Sequence, residues 1–201
     1  VLLSVSYDRK ELAILAIIGG FSSPFIVSTG EGNYVVLFTY ITILNLGMLT
    51  LAYFKKWNIL NIISYAFTII LYAGWLISTT ISGKPVPYAG ALVFATIFYL
   101  IFFLMNIINN IKESKSFKVL EITLLLSNTF LYYAAGMYIL HNLQDGIYQG
   151  LFTVLVGLFN FIFAYTLYKN EKADKNLVFL LIGLVLTFLS LAAPIQLRGN
   201  H

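Results

Sequence analysis

Seven stretches of this chain are almost continuously apolar, spanning 12–28, 34–54, 59–80, 88–111, 119–140, 150–168 and 176–195. A helix needs roughly 20 apolar residues to cross the ~30 Å hydrocarbon core of a bilayer. Membrane-barrel strands would instead show segments of about ten residues with alternating polarity. The pattern therefore predicts an all-α polytopic transmembrane helix bundle of seven crossings, read as one bundle over 1–201. Val1 to Ser6 read as the end of a preceding helix, so a piece of a longer protein is expected. The connections hold breakers or charge: Thr29-Gly30-Glu31-Gly32-Asn33, Lys55-Lys56-Trp57-Asn58, Ser82-Gly83-Lys84-Pro85-Val86-Pro87 and Asp145-Gly146. Short links make sequence neighbours antiparallel neighbours in space.

Polar positions then orient the chain. Arg9, Lys10, Lys55, Lys56, Lys112, Lys115, Lys118, Lys169, Lys172 and Lys175 fall in every second gap, and only Lys84 and Arg198 fall in the gaps between. Cationic loops are retained in the cytoplasm, so Glu31, Lys84 and Asp145 are expected outside. Boundary aromatics agree with this: Tyr53, Trp57, Tyr165 and Tyr168 at the inner face, Tyr34, Trp75, Tyr88 and Tyr148 at the outer.

Composition narrows the function classes. With 60% hydrophobic and 10% charged residues, the chain lies far from the soluble average of roughly a quarter charged. Its net charge of +4 resides in short loops at helix ends, where it sets topology and meets anionic headgroups rather than nucleic acid. The absence of Cys removes thiolate nucleophiles and Cys-ligated metals. His141 and His201 lie near segment ends, away from Ser22 and Ser23, which argues against a Ser–His hydrolase. Two histidines without carboxylates at ligand spacing make no metal motif. No cofactor is expected.

The first run is the least regular. Gly19-Gly20-Phe21-Ser22-Ser23-Pro24 places flexible residues, two hydroxyls and a helix breaker at mid-membrane. Pro24 removes a backbone hydrogen bond, and the freed carbonyl must find another partner. The default reading is a kink whose small residues permit close packing. The sharper reading is a discontinuous helix lining a substrate or ion path, with Gly20, Ser22, Ser23 and Pro24 as its residues and Asn45 and Asn128 as polar partners. Asn45, Asn61, Asn106, Asn128 and Asn160 lie in or near runs, where interhelical bonding is the default role. Asn128 precedes Tyr132 and Tyr133 by one turn, a grouping suited to a polar headgroup. Glu121 sits one turn into its run, where capping and pairing with Lys118 suit it better than proton relay.

Lys55, Lys112 and Lys169 recur every 57 residues. The helices after them end in Tyr72-Ala73-Gly74-Trp75, Ala134-Ala135-Gly136-Met137 and Ala192-Ala193-Pro194-Ile195. Evenly spaced hairpins produce such a period from bilayer thickness alone, and that reading is preferred over a parallel repeat.

Ala16-Ile17-Ile18-Gly19-Gly20-Phe21-Ser22-Ser23-Pro24, Ser28-Thr29-Gly30-Glu31-Gly32-Asn33 and Leu44-Asn45-Leu46-Gly47 resemble a bacterial family of predicted membrane proteins, domain-of-unknown-function family 2339. Ser127-Asn128 and Ala193-Pro194-Ile195-Gln196-Leu197 with Gly199 are similar in character. The resemblance implies a bacterial inner (cytoplasmic) membrane location and a longer parent chain, and carries no activity. The expected function is a non-enzymatic envelope scaffold or part of a transport pathway. The alternative is a membrane enzyme acting on lipid-linked glycan with its catalytic residues outside this segment. Expected partners are the lipid bilayer and the remaining helices of the full-length protein, with no nucleic acid and no substrate yet assigned.

Overall fold

The computed structural model describes residues 9–27, 33–54, 58–113, 119–169 and 175–198. The expected helical end at Val1 to Ser6 lies outside them, as do Glu31, Lys55, Lys56, Trp57, Lys115, Lys118, Lys172, Gly199 and His201. Seven α-helices are present among the described residues: α1 (Lys10–Val27), α2 (Tyr34–Phe54), α3 (Asn58–Ile81), α4 (Tyr88–Glu113), α5 (Val119–Asn142), α6 (Gln149–Tyr168) and α7 (Lys175–Arg198). Each apolar run became one helix. Six of the seven, α2 to α7, are long and apolar enough to cross a membrane by length and composition among the described residues.

Helix ends follow local chemistry. Asn33 caps α2, its Oδ1 accepting from the Val35 N–H at 2.9 Å, which satisfies one of the orphan donors of a helix start. Gly83 ends α3 with φ +65°, a left-handed conformation that costs glycine nothing. Asp145 and Gly146 follow α5 with φ of 53° and 79°, forming the tight turn that an Asp-Gly pair favours. Gln149 Nε2 then donates to the Met137 carbonyl at 2.9 Å, closing this hairpin.

Contacts divide the chain into two compact units, Val1–Met105 and Asn106–His201. In the first, α1 packs on α2 and α3. Phe21 stacks on Phe67 with ring centroids 5.6 Å apart. Phe38 is enclosed by Trp75, Tyr72, Phe94 and Phe98, and Tyr34 stacks on Trp75 at 5.3 Å. The half-buried Tyr34 and Trp75 rings belong to this cluster, where offset and edge-on ring pairs add attraction beyond area alone.

In the second unit α6 and α7 pack most closely. Gly150, Thr153, Gly157, Asn160 and Ala164 are buried along one face of α6, and Leu177, Leu181, Leu184, Val185 and Phe188 along one face of α7. Small residues opposite large ones let the backbones approach, the usual packing route inside lipid. Across α5 and α6, the Phe152 ring occupies the space where a Cβ on Gly136 would stand. The three small-residue phrases thus differ in environment: Gly74 has nothing near it, Gly136 holds a ring, and Ala193 and Pro194 are exposed.

The exterior of the fold is apolar, unlike that of a water-soluble protein, and a few polar groups lie inside. Leu15, Val36, Ile70 and Phe179 are each more than 60% exposed, whereas Asn45, Ser64, Thr129, Thr153 and Asn160 are fully buried. A water-soluble bundle would keep its outer face polar. A lipid-facing one turns polar groups inward because nothing in hydrocarbon can hydrogen-bond them. Threonine hydroxyls follow the same logic: Thr42, Thr129, Thr153 and Thr187 each donate to the carbonyl four residues earlier.

Candidate functional site: the proline turn of the first helix

Helix α1 is continuous through Pro24. The discontinuous helix of the sharper sequence reading is therefore not formed, and the chemistry of the missing bond explains why. In an α-helix the N–H at position 24 would donate to the carbonyl of residue 20, and proline has no N–H to give. The Gly20 oxygen is thus the orphan. It accepts from Ser23 Oγ at 2.8 Å, on its own helix, and from Tyr40 Oη at 2.9 Å, on α2. Ser23 Oγ and Tyr40 Oη also approach each other to 2.8 Å.

Three oxygens thus share two hydroxyl protons. The Gly20 carbonyl can only accept, so at least one hydroxyl points at it at any moment, and its second lone pair takes the other when both do. The cluster replaces the lost backbone bond twice over and ties α1 to α2. Gly20 itself is not demanded by sterics: a Cβ there would meet Leu44 at 3.5 Å, ordinary contact, and one on Gly19 would meet nothing within 4 Å. The expectation that these glycines allow close packing is not supported at these two positions. Ser22 and Pro24 are half-buried beside the cluster.

Asn45 is fully buried on α2 and its Nδ2 donates to Thr68 Oγ1 on α3 at 2.9 Å. Thr68 in turn donates to the Ser64 carbonyl at 2.8 Å. These three residues form a second polar contact within the first unit, with Ser64 and Thr68 again fully or almost fully buried. Asn128 belongs to the second unit and is buried on α5. One turn on, Tyr133 Oη lies 2.9 Å from Thr153 Oγ1. Thr153 spends its own proton on the Gln149 carbonyl, so Tyr133 is the donor. The Tyr132 and Tyr133 rings both pack on Phe152.

Sequence reasoning did not name Tyr40, Ser64 or Thr68. The signal was available for Tyr40. A carbonyl orphaned at Gly20 needs a donor on the neighbouring antiparallel helix, at about the same distance from the 28–33 connection, and Tyr40 stands there.

Among the other ionisable groups, Glu121 is buried in the first turn of α5, where a carboxylate meets the positive end of the helix dipole. Its backbone carbonyl accepts from Asn106 Nδ2 at 2.7 Å. His141 is exposed at the end of α5. At the far end of α6, Lys169 Nζ lies 4.6 Å from the centre of the Tyr165 ring, a cation–π contact of the kind found where a lysine reaches for the headgroup layer.

No curated protein and no solved structure matches the chain. The family model described as "Predicted membrane protein (DUF2339)" matches residues 1–201, in agreement with the several apolar helices and apolar exterior. The chain belongs to this family of predicted membrane proteins of unknown function.

Proposed function

We propose that this segment is a non-enzymatic scaffold of a bacterial inner-membrane protein, a set of helices fastened to one another through internal hydrogen bonds. The observation that carries this reading is the Gly20 carbonyl, freed by Pro24 and taken up by Ser23 and Tyr40. A permeation path exposes backbone acceptors of this kind to its cargo; here the acceptor is occupied by the protein's own hydroxyls. The basic loops lie in the cytoplasm in this proposal, and the Lys169–Tyr165 contact suits a headgroup boundary at that end of α6. Its partners are the bilayer and the remaining helices of the full-length protein.

The scaffold and transport readings differ at Ser22. A Ser22→Cys variant in this cysteine-free chain is treated with a water-soluble maleimide in native membranes. The scaffold reading expects no reaction, with Lys84→Cys as the reactive control. Ready labelling of Ser22→Cys, blocked by a transported solute, would replace it with the transport reading.

A further inference from the structure

The strongest unassigned feature is the exposed face of α6. Leu155, Leu158, Phe161 and Ile162 are exposed along it, and Tyr165, Tyr168 and Lys169 continue it at helical spacing. Lys169 keeps a helical backbone and donates its N–H to the Tyr165 carbonyl. Its side chain therefore stays on that face, with Nζ 4.6 Å from the centre of the Tyr165 ring. Helix α7 starts at the same end with Lys175 exposed, and Phe179 is exposed one turn later. Neither lysine has an ion-pair partner and neither phenol a hydrogen bond among the described residues. Across 169–175 the three lysines outnumber Glu171 and Asp174 by one.

An apolar strip that ends in unpaired cations and hydroxyls matches a molecule with a hydrocarbon tail and an anionic head. From Leu155 to Tyr165 the strip rises about 15 Å at the pitch of an α-helix, half of a ~30 Å hydrocarbon core and so the depth of one leaflet. The helix ends do not choose the charge of the head: the last carbonyls of α6 disfavour an anion, and the first N–H groups of α7 favour one. The lysines decide it, since each adds attraction for anionic lipid, and a phosphodiester oxygen accepts from an ammonium or a phenol. We propose that this face binds an anionic phospholipid of the phosphatidylglycerol class. Its phosphate lies at Lys169, with the tyrosine hydroxyls as further donors and Lys175 adding to the local field, and an acyl chain runs along Phe161, Leu158 and Leu155. A zwitterionic lipid offers the same phosphate but carries an ammonium that the lysines repel. Such binding requires α6 to span the membrane, as its length and composition allow, and is independent of the scaffold reading and of sidedness.

Native mass spectrometry of the protein purified in detergent, titrated with phosphatidylglycerol or with phosphatidylethanolamine of matched chains, measures both affinities. The wild type is expected to hold phosphatidylglycerol about fivefold or more tightly than phosphatidylethanolamine. Lys169→Gln changes an exposed side chain and leaves the helix seam intact. It is expected to lower phosphatidylglycerol affinity about fivefold with phosphatidylethanolamine unaffected, whereas Lys84→Gln, in the α3–α4 connection, should alter neither. Equal wild-type affinity for the two lipids, or an equal loss in Lys84→Gln, would overturn the proposal. Glycerol phosphate, a head without a tail, should not displace the bound lipid. Displacement at matched concentration would assign the cluster to a soluble phosphate and overturn the lipid assignment.

Discussion

Tyr40 carries one of the two hydroxyls that answer the Gly20 carbonyl, so single and double substitutions should differ in kind. Tyr40→Phe or Ser23→Ala alone leaves one donor, and each is expected to cost about 0.5–1.5 kcal/mol of folding stability. Together they orphan the carbonyl, and the loss should exceed the sum of the two. Equilibrium unfolding of the four-member cycle in detergent checks this, and strict additivity would show that the hydroxyls act separately. Gly136→Ala should be harmful for a different reason. Its Cβ enters the space of the Phe152 ring, and displacing a packed ring costs about 1–3 kcal/mol. Gly20→Ala, with ordinary contact available, should change stability little. The sequence shows that both glycines are present but not which one faces a ring. That distinction depends on the rotation of α5 against α6, and a helix that is apolar all round reveals little of its orientation.

Helices themselves were legible because bilayer thickness fixes their length. Runs at 34–54, 59–80 and 119–140 became Tyr34–Phe54, Asn58–Ile81 and Val119–Asn142. Proline at 24 and at 194 sits inside a continuous helix, as the 12–28 and 176–195 runs and the default reading of Pro24 expect, since in lipid the alternative is several unpaired backbone groups and one lost bond is the smaller cost. This yields a prediction at element level. Pro24→Ala restores the N–H that Gly20 would otherwise receive, so the cost of Tyr40→Phe should fall to half or less in that background, measured as a double-mutant cycle. An undiminished cost would mean that Tyr40 holds α1 for some other reason. The α6–α7 seam rests on small residues, and a Cβ at Gly157 would already lie 3.3 Å from Phe188. Gly157→Leu should therefore push these helices apart, lowering thermal stability in detergent while leaving helical content by circular dichroism nearly unchanged.

At the scale of the whole molecule, two features matter: an apolar exterior that encloses a few buried polar groups, and the proposed sorting of cationic loops to the cytoplasm. The first is visible in the fold, where fully buried Asn45 and Asn160 contrast with outward Leu15 and Phe179. The second is proposed from the sequence, where ten of the twelve Lys and Arg residues occupy alternate gaps. The polar partners of Gly20 and Asn45 were not legible there, because they come from neighbouring helices whose rotation no single segment encodes. Sidedness is the claim on which the proposed membrane topology depends most. The absence of native Cys permits single-cysteine variants at Lys84, Asp145 and Lys115, treated with a membrane-impermeant maleimide on intact, wall-stripped cells. The account predicts that Lys84→Cys and Asp145→Cys are labelled at once and Lys115→Cys only after the membrane is broken. Labelling of Lys115→Cys on intact cells, with the other two protected, would contradict it.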